Sequence, residues 1–360
     1  MYIRFSCRLA VLSVLLVLLV SLAACGGAGS TAEVSDTAPS ATVAAPASAT
    51  ATAEATATVE ASATMAAPMV TATETMTATV LEATAVPPLA TVNVNTGDVL
   101  FEGERAMVHA VAQCEIGPRP AGSEALVQTR DYIQSVLEAE GWTVVRQDGE
   151  FMGVPIHNVV GVKGEGAARM VGAHFDTRPV ADQDPTSPTT PIIGGNDGAS
   201  GVAILLELAR TLEVPEGRQV QLAFFDAEDR GNLDGWPFSV GAQQMASALP
   251  VDRPEAMVVL DMVGDADLQI FRERHSDLAL TDVLFATADA LGFSENGFYN
   301  RDKYTIIDDH LPFLEQGIPA ADLIDFDYPY WHTVEDTCDK LGVESLFKVG
   351  RVVEVWLEGE

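Results

Sequence analysis

Along residues 104–113 and 123–139 (SEALVQTRDYIQSVLEA for the second), apolar side chains recur at helical spacing. The period then changes. WTVVRQ, HNVVGVKG and ARMVGAHFD are short apolar or alternating runs that end in loops, as strands do. Residues 201–212 (GVAILLELARTL) return to a helical pattern with one apolar face, and QVQLAFFD and EAMVVLDMVG read as two further strands. Helices and strands in this order predict one α/β domain, spanning residues 98–360, whose sheet has parallel members covered on both faces.

Polar residues interrupt this pattern at strand ends. His174 and Asp176 close one predicted strand, Asp226 to Asp229 a second, and Asp261 a third. In open α/β sheets ligands bind beyond the carboxyl ends of the strands, so these groups can meet in one crevice. The run LAFF ends in Asp226, Glu228 and Asp229, three acids within four positions. Crowded carboxylates repel and resist leaving water, so a cation is expected among them. Asp197, just ahead of the helix in GGNDGASG, and His332 in YWHTVEDT extend the set. Oxygen and imidazole donors of this kind suit zinc. Each residue alone also reads as a helix cap, a turn acid or a core histidine; the ordered set is more specific.

Composition divides the chain. Residues 1–25 carry Arg4 and Arg8 before an apolar stretch too short for a typical membrane span, which reads as a secretion signal. The signal closes on LAACG, which resembles the lipobox of bacterial lipoproteins, with Cys25 as the acylated residue. Residues 26–97 are mostly Ala, Thr, Ser, Val, Pro and Glu, and read as a disordered tether. The implied location is extracytoplasmic, with membrane contact through the lipid alone. A formal charge of -32 excludes a general polyanion-binding surface, and so nucleic-acid partners. It suits cationic partners such as the amino end of a peptide. Of four cysteines, Cys114 and Cys338 lie beyond the leader, and an even pair in an oxidising compartment predicts a disulfide.

The motifs HFDTRP, GGNDGASGVAILLELAR, FFDAED, LDMVG, DDHLPFLEQGIPA and YWHT, in this order, resemble the M28 family of zinc peptidases and, within it, the glutaminyl cyclases. The resemblance covers most of residues 104–360. It implies a three-layer αβα zinc-exopeptidase-like fold with a mixed, mostly parallel central sheet. It also implies Asp197, Asp229 and His332 as ligands of the main zinc, with Glu228 as general acid and base. In the family's two-metal aminopeptidases Asp197 would bridge to a second ion held by His174 and Asp261. One departure stands out: the commoner family pair is Glu-Glu where this chain has Glu228-Asp229, so the ligand arm is one methylene shorter.

Two reactions remain open on this scaffold. Family aminopeptidases usually have Ser-Asp-His where this chain has Asp308-Asp309-His310, and animal glutaminyl cyclases resemble this chain in placing Asp first. That resemblance implies an acid network of Asp308, Glu228 and Asp261, one zinc ion, and conversion of an amino-terminal Gln to pyroglutamate. Asp308 also fits a helix cap. Trp331, Trp236 and Tyr328 are expected to wall a pocket for the glutamine side chain, although Trp236 equally fits a core. The other reading is a two-zinc aminopeptidase. In both, the partner is a peptide or protein N-terminus. A tethered binding protein with a dead site is disfavoured because the ligand and base positions are filled.

Overall fold

A computed structural model of the chain describes residues 100–359. Helices α1 (Gly103–Ile116) and α2 (Glu124–Ala139) precede strands β1 (Thr143–Phe151), β2 (Val154–Gly164) and β3 (Ala167–His174). Then come α3 (Ala199–Thr211), β4 (Arg218–Phe225), α4 (Val240–Ser247) and β5 (Ala256–Asp261). The remainder is β6 (Ile270–Glu273), α5 (Leu278–Ala290), β7 (Phe298–Tyr304), α6 (His310–Glu315), β8 (Ala320–Ile324), a 3-10 turn (Cys338–Lys340) and α7 (Val343–Glu358). Ser123 caps α2 by accepting the Leu126 N–H at 3.1 Å, which fixes where that helix begins. Between β1 and β2 the turn residues Met152 and Gly153 both have positive φ, the backbone that a two-residue hairpin needs.

The main sheet runs in the order β1-β2-β4-β3-β5-β8. The pairs β3/β4, β3/β5 and β5/β8 are parallel, and β1/β2 and β2/β4 antiparallel. The sheet is thus mixed and mostly parallel, as expected. Alternate strand residues feed two cores. Val220, Leu222 and Phe224 of β4, with Val258 and Leu260 of β5, join side chains of α3 and α7 in the larger core. Ala223 and Phe225, with Met257 and Val259, meet α4 and Phe313 of α6 on the other face. This alternation is the period-2 geometry of a strand buried on both sides.

From β3 the chain passes through α3 on one face to β4. From β4 it passes through α4 on the opposite face and returns to β5, on the other side of β3. The carboxyl end of β3 is therefore a topological switch point, where an open crevice forms. Close packing serves that crevice. A side chain at Gly201 would meet the Leu260 carbonyl oxygen at 2.2 Å, so glycine lets α3 lie directly on β5.

Candidate active site

The strand ends converge as the pattern predicts. His174 closes β3, Asp226 to Asp229 follow β4, Asp261 closes β5, and His332 comes from the loop after β8. Asp197 arrives on the loop before α3. A Cβ at Gly198 would lie 2.5 Å from the His174 carbonyl oxygen, so only glycine allows that approach. His174 Nε2 lies 3.1 Å from Asp197 Oδ1 and 3.2 Å from Asp261 Oδ1. His332 Nε2 lies 3.1 Å from Asp229 Oδ1 and 3.7 Å from Asp197 Oδ2. Asp197 thus offers one oxygen to each of two buried ligand groups, His174/Asp197/Asp261 and Asp197/Asp229/His332, each with donor atoms within 4.8 Å of one another.

A second layer aims these donors. Asp176 Oδ1 is 3.4 Å from His174 Nδ1, and Asp182 Oδ1 is 3.1 Å from His332 Nδ1. Both imidazoles therefore turn Nε2 inward with a carboxylate behind Nδ1, the arrangement that metal-ligating histidines use. Asp176 also accepts the backbone N–H groups of Glu228 (3.0 Å) and Asp229 (3.2 Å). Arg178 holds Asp182 through two hydrogen bonds of 2.8 and 2.7 Å. Asp336 accepts the N–H groups of Asn196 (2.8 Å) and Asp197 (3.3 Å) and the Tyr328 hydroxyl (2.7 Å). Arg119, from GPRPAGS, is fully buried and donates to the carbonyls of Phe175 (2.9 Å), Ile193 (2.7 Å) and Gly194 (2.9 Å), joining the end of β3 to the Asp197 loop. Ala227, Met262 and His332 all have positive φ, so local backbone strain accompanies the turning of the site loops.

Of this layer, sequence reasoning found Asp176 only as a strand end and missed Arg119, Arg178, Asp182 and Asp336. Arg178 lies within HFDTRP, and Asp336 four residues after His332, so proximity to the motifs is the one signal they carry.

The electrostatics fit a cation. Asp229 Oδ2 is buried without a hydrogen-bond partner among the described residues. Burial, then the charge of Asp197, pushes the Asp229 carboxyl up to about 6. Burial opposes charge on His174, yet Asp176, Asp197 and Asp261 raise it well above its ordinary value. The protein alone thus gathers protons where a metal ion would supply positive charge. Nitrogen and oxygen donors at this spacing, backed by outer carboxylates, fit zinc. Burial, reinforced by Asp308, Asp309 and Asp229 against the opposing charge of His174, raises Glu228 well above the carboxylate range. A carboxyl raised in this way is suited to exchanging protons near neutrality.

Asp308 is buried, and burial followed by the charge of Asp261 pushes it up to about 7. It does not cap α6 with its side chain; its Oδ1 instead accepts the Asp309 N–H at 2.5 Å. Asp308, His310 and Asp322 of β8 bring donor atoms within 4.8 Å of one another, and Asp322 is an acid that the sequence pattern did not single out.

The aromatic residues separate. Trp331 stacks on His332, with ring centroids 3.9 Å apart, and also contacts Phe326. Tyr328 is buried, and its hydroxyl holds Asp336 rather than lining a pocket. Trp236 is 3% exposed in a satellite core with Ile156, Ala227 and Val240, its ring against Phe151 at 4.9 Å and Arg230 at 4.5 Å. It is thus packed as core and does not stand with Trp331 beside His332, because the hairpin residue Phe151 and the Arg230 guanidinium cover it. Cys114 of α1 and Cys338 form a disulfide. Cys25 lies outside the described residues.

Comparison with known proteins agrees with this geometry. The family model described as peptidase family M28 matches residues 158–357, more than half of the chain. A mouse protein named glutaminyl-peptide cyclotransferase-like is 26% identical over 281 residues, 66% of this chain and 71% of that one. The crystal structure of Porphyromonas gingivalis glutaminyl cyclase is similar at 30% identity and a TM-score of 0.68, covering 72% of this chain and 98% of that one. That of a leucine aminopeptidase precursor from Bacteroides thetaiotaomicron is similar at 29% identity and a TM-score of 0.69, covering 75% and 100%. With its matched segment carrying Asp197, Glu228, Asp229, Asp261 and His332, the chain belongs to peptidase family M28 and is an enzyme of that family.

Proposed function

We propose that the protein is a zinc-dependent glutaminyl-peptide cyclotransferase, converting the N-terminal glutamine of a peptide or protein to pyroglutamate with release of ammonia. The observation that carries this reading is Asp308, a buried acid raised to about 7 whose charge in turn raises Glu228. Similarity to named glutaminyl cyclases of bacteria and animals supports it.

Asp197, Asp229 and His332 would hold the zinc, with Asp182 behind His332. Bound there, zinc would supply Lewis-acid polarisation of the γ-carbonyl. The acids attract the substrate's positively charged amino end, which gives its extra proton to solvent and reacts as the neutral amine. Glu228 takes a proton from the α-amine as its nitrogen attacks the γ-carbon, and passes a proton to the departing nitrogen, which leaves as ammonia. Burial, with Asp308 and Asp309, keeps Glu228 at a proton affinity that permits both transfers, and Asp261 acts through Asp308, whose carboxyl it raises. Trp331, stacked on His332, would form one wall for the glutamine side chain.

A second reading has its own observation. Asp197 faces both histidines, and the His174/Asp197/Asp261 group is complete, as a two-zinc aminopeptidase requires. Glu228 would then activate water against the first peptide bond. The zinc-loaded protein, given peptides beginning with Gln and with Leu, separates the two by mass spectrometry. A cyclase removes ammonia from the Gln peptide and leaves the Leu peptide intact, and Asp308→Ser lowers its rate by about 100-fold with zinc content unchanged. Free leucine, no pyroglutamate and tolerance of Asp308→Ser would establish the aminopeptidase instead.

We also propose that residues 1–25 are a lipoprotein signal and residues 26–97 a tether, placing the catalytic domain outside the cytoplasm on a lipid-bearing Cys25. Among the described residues no helix is long and apolar enough to cross a membrane. Cys25→Ala should free the protein from membranes at undiminished specific activity; equal retention would refute the anchor.

A further inference from the structure

Asp322 stands in β8 among Ala320, Ala321, Leu323 and Ile324, all of them buried. A carboxylate in such a strand must be paired or ligated, because desolvation penalises its charge. No hydrogen bond meets that need. Neither oxygen of Asp322 (3% exposed) and neither ring nitrogen of fully buried His310 has a hydrogen-bond partner among the described residues, and Asp308 Oδ2 has none either. His310 is oriented as the two histidines of the active site are. Its Nε2 lies 3.3 Å from Glu273 Oε2, and its Nδ1 faces Asp322 Oδ2 at 3.8 Å. Glu273 is fixed in turn, since its oxygens accept the N–H groups of His275, Ser276 and Ile306 and the Ser276 hydroxyl at 2.8 to 3.0 Å. A carboxylate behind one ring nitrogen and oxygen donors before the other is the arrangement of His174 with Asp176 and of His332 with Asp182, with the two nitrogens exchanged. The 3.8 Å between His310 and Asp322 is too long for a hydrogen bond. It suits two donors on one ion, because zinc at about 2.0 to 2.1 Å from nitrogen or oxygen holds its ligands about 3 to 4 Å apart.

We propose that Asp308, His310 and Asp322 form a further zinc site, apart from the two groups that share Asp197. Their donor atoms lie within 4.8 Å of one another and supply two oxygens and one nitrogen, which leaves a fourth position for solvent. Asp308 also lines the cleft of about 370 Å³ between α4 and α6, the side from which an ion would approach. An ion entering here is repelled by the zinc held at Asp197, so this site fills second and at higher zinc concentration. Once bound, it engages Asp308, which the cyclisation mechanism uses, and so inhibits the enzyme. The inhibition, unlike the site, rests on the cyclase reading.

The test adds zinc to the full chain already loaded with its first equivalent, counts bound ions by elemental analysis and follows turnover of a Gln peptide. At saturation the wild type should hold one more ion than Asp322→Asn, an isosteric change that removes the anionic ligand. Wild-type turnover should fall over the zinc range in which that ion binds. Glu273→Gln, which keeps all three ligands and weakens only the group behind His310, should shift that range upward by about 10- to 100-fold. Equal ion counts in the wild type and Asp322→Asn, with no shift in Glu273→Gln, overturn the site. If Asp322→Asn fails to fold, the shift in Glu273→Gln decides alone. An extra ion that leaves turnover unchanged overturns the inhibition. The ion count does not depend on the substrate, so the product, pyroglutamate or free leucine, judges the reaction separately.

Discussion

Asp226 and Glu228 leave the same strand and are both buried acids, yet their surroundings give them different work. The Asp226 carboxylate accepts the His157 N–H at 2.8 Å, and its other oxygen is buried without a partner. Burial, then the charge of Asp176, pushes Asp226 up to about 7. The folded protein therefore keeps a proton that the unfolded chain loses near its ordinary value of 3.8. Stability from this residue is fully present below about pH 4 and falls as pH rises through the window up to about 7. Asp226→Asn, which cannot ionise, should flatten the fall of the denaturant midpoint between pH 5 and 8. An identical slope in the variant would show that Asp226 is not its source. Glu228, raised beside the ligand groups, is placed for proton transfer. Glu228→Gln should keep zinc and lose about 100-fold or more in turnover, because the amide keeps the shape without shuttling a proton. Loss of zinc with activity would instead make Glu228 a ligand.

At the scale of elements, the segment from β8 to α7 holds the site together. It carries His332, then Asp336 clamped on the Asp197 loop, then Cys338 bonded to α1 across 224 residues of sequence. A Cβ at Gly195 would lie 2.5 Å from the Thr337 carbonyl carbon, so the two loops touch through backbone. Closing so long a loop stabilises by about 3 to 5 kcal/mol through the unfolded chain. Cys114→Ser should lower unfolding stability by about that amount, and should weaken zinc binding because the His332 loop loses its brace. Unchanged stability, or free thiols at both positions in non-reducing mass analysis, would contradict this.

Across the whole molecule, the two candidate ligand groups lie where the parallel strands of one sheet end, so removal of a metal held there would be felt by every element that meets there. Ligands must be deprotonated to bind, and in the metal-free protein Asp229 holds its proton up to about 6. Zinc therefore competes with protons at low pH and stabilises more as pH rises. A chelator should lower Tm further at pH 8 than at pH 5. The reverse order would mean that these carboxylates do not carry the ion. At either pH the loss should be cooperative, because β3, β4 and β5 share both cores.

The order of elements up to β4, the strand β5, the strand-end placement of His174, Glu228, Asp229 and Asp261, and the cysteine pair were legible because each is a local signal: a period, a motif, a count. The elements β6, α5, β8 and α7 were not read, and neither were the segments 240–247 and 298–304. Of these two segments the first is only eight residues long, and the second, FYNRDKY, is mostly exposed and becomes a strand through its pairing with β6. Neither carries enough period of its own. At the site, residue types named the ligands, but the orientation of each imidazole came from Asp176 and Asp182, and the seat of Asp197 from Asp336, contacts that span up to 150 residues. Trp236 shows the same limit in reverse. The resemblance to the cyclases left it open between a pocket wall and the core, and packing against Phe151 and Arg230 made it core. Sequence by itself determined which chemical groups reach the ends of the strands, since alternation and turns are written locally. Tertiary structure decided which of them face one another, because burial and charge depend on residues far apart in the chain.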